Sequence, residues 1–253
     1  MTAKKPFLRA LPTEFGLLRV SGATWAEASD KTSINVMIDD HAELCAVLLE
    51  VHPQTDRAAV PSEGSSPAAL LAEVQDLVLE ALTQRAPLYE VVSSTRKFCA
   101  AHAGCEVGIA LMRLSQRDSR AEILNAGMPA IVWIAPDAEI VLHPALSGRI
   151  GHTPGEVHAY ELCPLVWGSS WLMMSESFVL AQPAHTTSQE GTPGSERFDA
   201  QSWLSEQDVA YDAHLLARET RERLCQRMHS VDGPVPADDA ALVCIAASSE
   251  PRF

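Results

Sequence analysis

The chain has 253 residues, 47% of them hydrophobic, which is enough to bury a core in one large domain or two small ones. Its 19 Lys and Arg stand against 33 Asp and Glu, and the resulting net charge of −14 repels nucleic acid and anionic lipid, so neither is expected as a partner. The first residues carry no apolar run of signal-peptide length and no later segment approaches the ~18 continuous apolar residues of a membrane span, so the chain is expected in the cytoplasm, away from membranes.

Residues 15–20, 32–38 and 43–51 have the β-branched and apolar content of strands, separated by short polar turns, which predicts an antiparallel start. Past the Pro/Gly/Ser-rich turn at 61–67, Leu70, Leu71, Val74, Leu77, Val78 and Leu82 recur at helical spacing from a start near Ser66-Pro67. A second helix follows with Leu88, Val91, Val92, Thr95, Phe98 and Cys99 on one face, ended by Gly104. The period then becomes that of strands over 105–115, 120–126, 130–135, 139–143, 156–162 and 170–176, the pattern of a meander. Helices are expected at about 200–207 and 209–229, and a last strand at 241–247.

The stretch 181–195 is rich in turn formers and poor in apolar residues, so it reads as a mobile loop within one domain over 15–247, between an extension at 1–14 and a tail at 248–253. The order of strands, two helices, strands, helices and strand predicts an α+β fold, a four-layer α-β-β-α sandwich of two antiparallel sheets flanked by helices.

The six cysteines contain no C-x-x-C pair and read as buried reduced thiols. Among the nine histidines no pair has the helical spacing of a zinc motif with a Glu. Ser175 lacks the Gly-x-Ser-x-Gly elbow of a nucleophile, and neither "SGRIG" nor "GTPGS" has the spacing of a phosphate-binding loop. The tryptophans, Trp25, Trp133, Trp167, Trp171 and Trp203, are expected in core or sheet-edge packing.

The segment "RAEILNAGMPAIVWIAPDAEIVLHPALSGRIGHTPG" resembles the middle of the metal-dependent protein phosphatases of the PPM class, in their bacterial SpoIIE-like branch, where a strand ends in Asn-Ala-Gly-His-Pro. Asn125, Ala126, Gly127 and Pro129 match, and Met128 replaces the His. Gly127 suits the positive φ of a tight turn and Pro129 fixes the exit of the chain. Gly148 and Gly151 match a family turn. "WLMMSES" stands where the family has a strand ending in Thr-Asp-Gly, "GSERFDAQSWL" resembles the helix start after it, and "PADDAALVCIAA" resembles the closing Asp-Asp-x-Thr strand. "LCAVLLEVHPQTDRAAVPSE" takes the place of the strand and Asp-Gly-x-Gly-His-Gly turn, so the similarity runs over about residues 15–247.

The resemblance implies carboxylates at strand ends holding two Mn²⁺ or Mg²⁺ ions, with a bridging water that attacks a phosphoserine or phosphothreonine. Carried over position by position, the metal residues would be Asp30, Glu50, Glu176, Asp238 and Asp239, with a further loop role for His52. Only Asp238 and Asp239 are clean matches to the family's motif. A Glu for an Asp moves the carboxylate by roughly 1.5 Å, whereas metal distances tolerate only about ±0.2 Å. Val51 replaces the Gly whose carbonyl coordinates, His52-Pro53-Gln54 replaces the rest of the turn, Ser177 replaces the next Gly and Ala241 the Thr. Two readings follow from the resemblance: a pseudophosphatase that binds a regulatory protein and needs no cofactor, or an active Mn- or Mg-dependent phosphatase acting on a phosphoprotein.

Overall fold

The computed structural model describes residues 14–15, 18–25, 31–38, 43–53, 66–102, 104–137, 139–153, 155–176, 179 and 240–247. Eleven strands and two helices fall within them: β1 (Glu14–Phe15), β2 (Leu18–Trp25), β3 (Thr32–Ile38), β4 (Leu44–Pro53), α1 (Pro67–Thr83), α2 (Leu88–Ala101), β5 (Cys105–Ser115), β6 (Arg120–Ala126), β7 (Ile131–Ile134), β8 (Ile140–His143), β9 (Tyr160–Pro164), β10 (Ser170–Met174) and β11 (Ala240–Ala247). They form a six-stranded sheet in the order β1-β2-β11-β10-β7-β8 and a five-stranded sheet in the order β3-β4-β5-β6-β9. Every pairing in both is antiparallel.

The two helices form where the sequence places them. Ser66 Oγ accepts a hydrogen bond from the Ala69 amide (3.3 Å) and Pro67 opens α1. All six residues expected on the inner face of α2 are buried, and both helices pack on the five-stranded sheet.

Strand alternation divides the core in two. Cys45, Val47, Leu49 and Val51 of β4 join the helices in one cluster, while Leu44, Ala46 and Leu48 point into a second cluster with Trp171, Met173, Val243 and Ile245 of the six-stranded sheet. Strands β4 and β5 lie between these two clusters, which is why they read as near-continuous apolar runs.

The α+β sandwich of two antiparallel sheets is therefore present, with α1 and α2 as its described outer layer. The helices expected at 200–207 and 209–229, the loop at 181–195 and the tail at 248–253 lie outside the described residues, as do residues 1–13. No helix among the described residues is long and apolar enough to cross a membrane.

Two expectations need correction. The six strands after α2 are not one meander, because β5, β6 and β9 belong to one sheet and β7, β8 and β10 to the other. The chain changes sheet at Asn-Ala-Gly-Met-Pro, between β6 and β7. There Asn125 Nδ2 donates to the Pro129 carbonyl (2.9 Å), its Oδ1 accepts from the Met128 amide (3.3 Å), and Gly127 takes φ 66°. The strand expected at 156–162 begins only at Tyr160. Residues before it serve the segment at 147–151 instead: Glu156 Oε1 accepts from the Gly148 amide (2.8 Å) and His158 Nε2 lies 3.2 Å from the Gly148 carbonyl.

Candidate functional site at the end of the sandwich

Alternation along β4 puts Glu50 on the same face as Leu44, Ala46 and Leu48, so a carboxylate stands where the pattern would place an apolar side chain between the sheets. Glu50 is 2% exposed. A carboxylate buried this far needs partners, since an unpaired charge there costs several kcal/mol. Its Oε1 accepts a hydrogen bond from the Glu176 amide (3.0 Å), and its Oε2 lies 3.4 Å from Nε2 of His52, two residues on along the same face. Neither Glu50 Oε2 nor His52 Nε2 has a hydrogen bond, although both atoms are buried.

Glu176 follows the end of β10 in the opposite sheet. Ser175 fixes it there, because its Oγ accepts from the Ala241 amide (2.8 Å) and its amide donates to the Ala241 carbonyl (2.9 Å), tying β10 to β11. Ser175 thus serves as a buried structural link. The Glu50–Glu176 contact joins residues 126 positions apart and closes the end of the sandwich.

The Glu176 carboxylate also accepts a hydrogen bond from Nη2 of Arg149, which the sequence reading did not include in the site. The segment carrying Arg149 is pinned: Ile150 and Val107 exchange two backbone hydrogen bonds of 2.9 Å, the Gly127 amide donates to the Ser147 carbonyl (3.0 Å), and the Cys99 thiol donates to the Ile150 carbonyl (3.4 Å). The Cys105 sulfur beside it and burial push the Cys99 thiol well above the ordinary thiol range, so it remains a neutral donor. Glu106 was missed too. It lies opposite His52 in the β4–β5 register, is buried, and has His152 Nδ1 2.8 Å from its Oε1. Its signal was present, since period two puts it on one face with Gly108, Ala110 and Met112. Met128, in place of the family's His, sits over Gly108, where a Cβ would come within 2.5 Å of its sulfur.

Glu50, His52 and Glu176 each present a ligand atom, all within 4.8 Å of one another, a group that could hold a single ion. Asp30, Asp238 and Asp239 lie outside the described residues. The described residues do not fit a centre of two hard cations. Strand β4 stays in register through Pro53, opposite Cys105, so among the described residues no glycine-rich turn presents a backbone carbonyl. The third donor is an imidazole where Mn²⁺ or Mg²⁺ pairs are held chiefly by oxygen, and one carboxylate already holds a guanidinium.

Comparison with known proteins agrees with this architecture. The structure of the RsbU and RsbW domains of Rv1364c from Mycobacterium tuberculosis is similar with a TM-score of 0.64 at 15% identity, over 94% of this chain and 62% of that one. The PP2C phosphatase domain with a fragment of the regulatory domain of SpoIIE from Bacillus subtilis gives a TM-score of 0.65 at 14% identity, over 90% and 63%. RsbX in complex with magnesium gives 0.60 at 13%, over 96% and 100%. The chain thus spans less than two thirds of the first two, and at these identities the likeness shows the fold. No curated protein matches the chain. The family described as Stage II sporulation protein E (SpoIIE) matches residues 57–248, well over half of the sequence, and the chain belongs to that family.

Proposed function

We propose that the chain is a pseudophosphatase of phosphorylation-dependent bacterial signalling, which keeps the phosphatase sandwich, has lost or weakened hydrolysis, and binds a regulatory protein or phosphoprotein. The observation that carries this reading is the course of β4. It continues as regular strand through Val51, His52 and Pro53, where hydrolysis would require a turn that brings a backbone carbonyl to the ions. Similarity to a protein whose structure joins RsbU and RsbW domains supports a protein partner. The alternative, an active Mn- or Mg-dependent serine/threonine phosphoprotein phosphatase, draws on the convergence of Glu50, His52 and Glu176.

Phosphate release from phosphoserine and phosphothreonine peptides, measured in millimolar Mn²⁺ beside the Glu50→Gln variant, decides between them. The pseudophosphatase reading expects the same background rate from both proteins. Metal-stimulated turnover that the variant lowers by ~10²-fold or more would establish the alternative.

A further inference from the structure

We propose that the Arg149 guanidinium is the resident cation of this site, and that a divalent ion can bind at Glu50, His52 and Glu176 only when that guanidinium is displaced. Arg149 donates to the Glu176 carboxylate, so a fixed positive charge already holds one of the converging acidic side chains, while the Glu176 backbone amide holds Glu50. The residue is built into its position. A Cβ on Gly127 would lie 2.5 Å from the Arg149 amide nitrogen and 2.7 Å from its Cα, so the turn between the sheets leaves room for this backbone and the stem it carries. On its other side Ile150 is locked to Val107.

The same geometry leaves ligand capacity unused. Glu50 Oε2 and His52 Nε2 are buried, 3.4 Å apart and without hydrogen bonds. Donors are therefore at hand, and a positive charge already present beside them opposes the entry of another. The proposal rests on the pseudophosphatase reading, because an enzyme would need the ion in the native chain.

The test is equilibrium dialysis of the full chain against Mn²⁺. Arg149→Met keeps an apolar stem and removes the charge, Arg149→Gln shortens the stem and replaces the charge with a neutral amide, and Arg149→Lys keeps the charge. The pair is part-exposed, at 25% for Arg149 and 46% for Glu176, so its loss leaves no buried lone charge. The expected result is Mn²⁺ binding at least about tenfold tighter in the Met and Gln variants, with the Lys variant close to wild type. Equal affinity in wild type and both neutral variants would overturn the proposal, as would tight binding by the Lys variant. Unfolding of both neutral variants, seen by circular dichroism, would make Arg149 a structural residue and overturn it too. Mn²⁺-stimulated phosphate release by the wild-type chain would overturn the functional reading, and that outcome is separate from the affinity ratio.

Discussion

Gly127 is held at φ 66°, with Arg149 against the position its Cβ would take. The Gly127→Ala variant combines a left-handed backbone with a collision against main chain that cannot swing aside. It should lose about 1–3 kcal/mol, read as a lower urea midpoint. A midpoint within error of wild type would mean that the turn and the Arg149 segment part easily. At this scale the sequence was unevenly legible. The Gly was readable because a turn between two strands needs one. Glu50 and Glu176 were readable through the family motif. Arg149 was not, because it meets Glu176 across 27 residues and a change of sheet, and neither periodicity nor motif links the two.

The helices were the most legible elements, because each presents one apolar stripe to one sheet, and α1 also carries its start signal, Ser66-Pro67, in the sequence. Replacing the α1 cap, Ser66→Ala, removes one exposed hydrogen bond of 3.3 Å and should cost ~0.5–1 kcal/mol, measured by urea unfolding with an unchanged slope. A change in slope would show that the cap alters more than the helix end. Strands were legible in place but less so in extent and partnership. Val-His-Pro at the end of β4 looked like the remnant of a turn, yet pairing with β5 carries it on as strand. The alternation at 156–159 came from contacts with the 147–151 segment, where Glu156 and His158 hold Gly148. Register with a partner strand is a long-range property, and local pattern does not contain it.

For the molecule as a whole, the two sheets bring Glu50 and Glu176 to one end of the sandwich although they are 126 residues apart, and the order of elements was enough to predict that stacking. What the order could not show is that the corner between β6 and β7 also makes room for the backbone and stem of Arg149. The described part of the site thus sets Arg149 on the Glu176 carboxylate and the Glu176 amide and His52 against Glu50, and supplies one positive charge from within. A phosphatase of this fold would depend on external cations for that charge balance. Calorimetric titration of the wild-type chain with Mn²⁺ is the decisive measurement. No saturable heat is expected below millimolar metal. Micromolar binding that the Glu50→Gln/Glu176→Gln double variant abolishes would contradict it and place a working metal centre at the end of the sandwich.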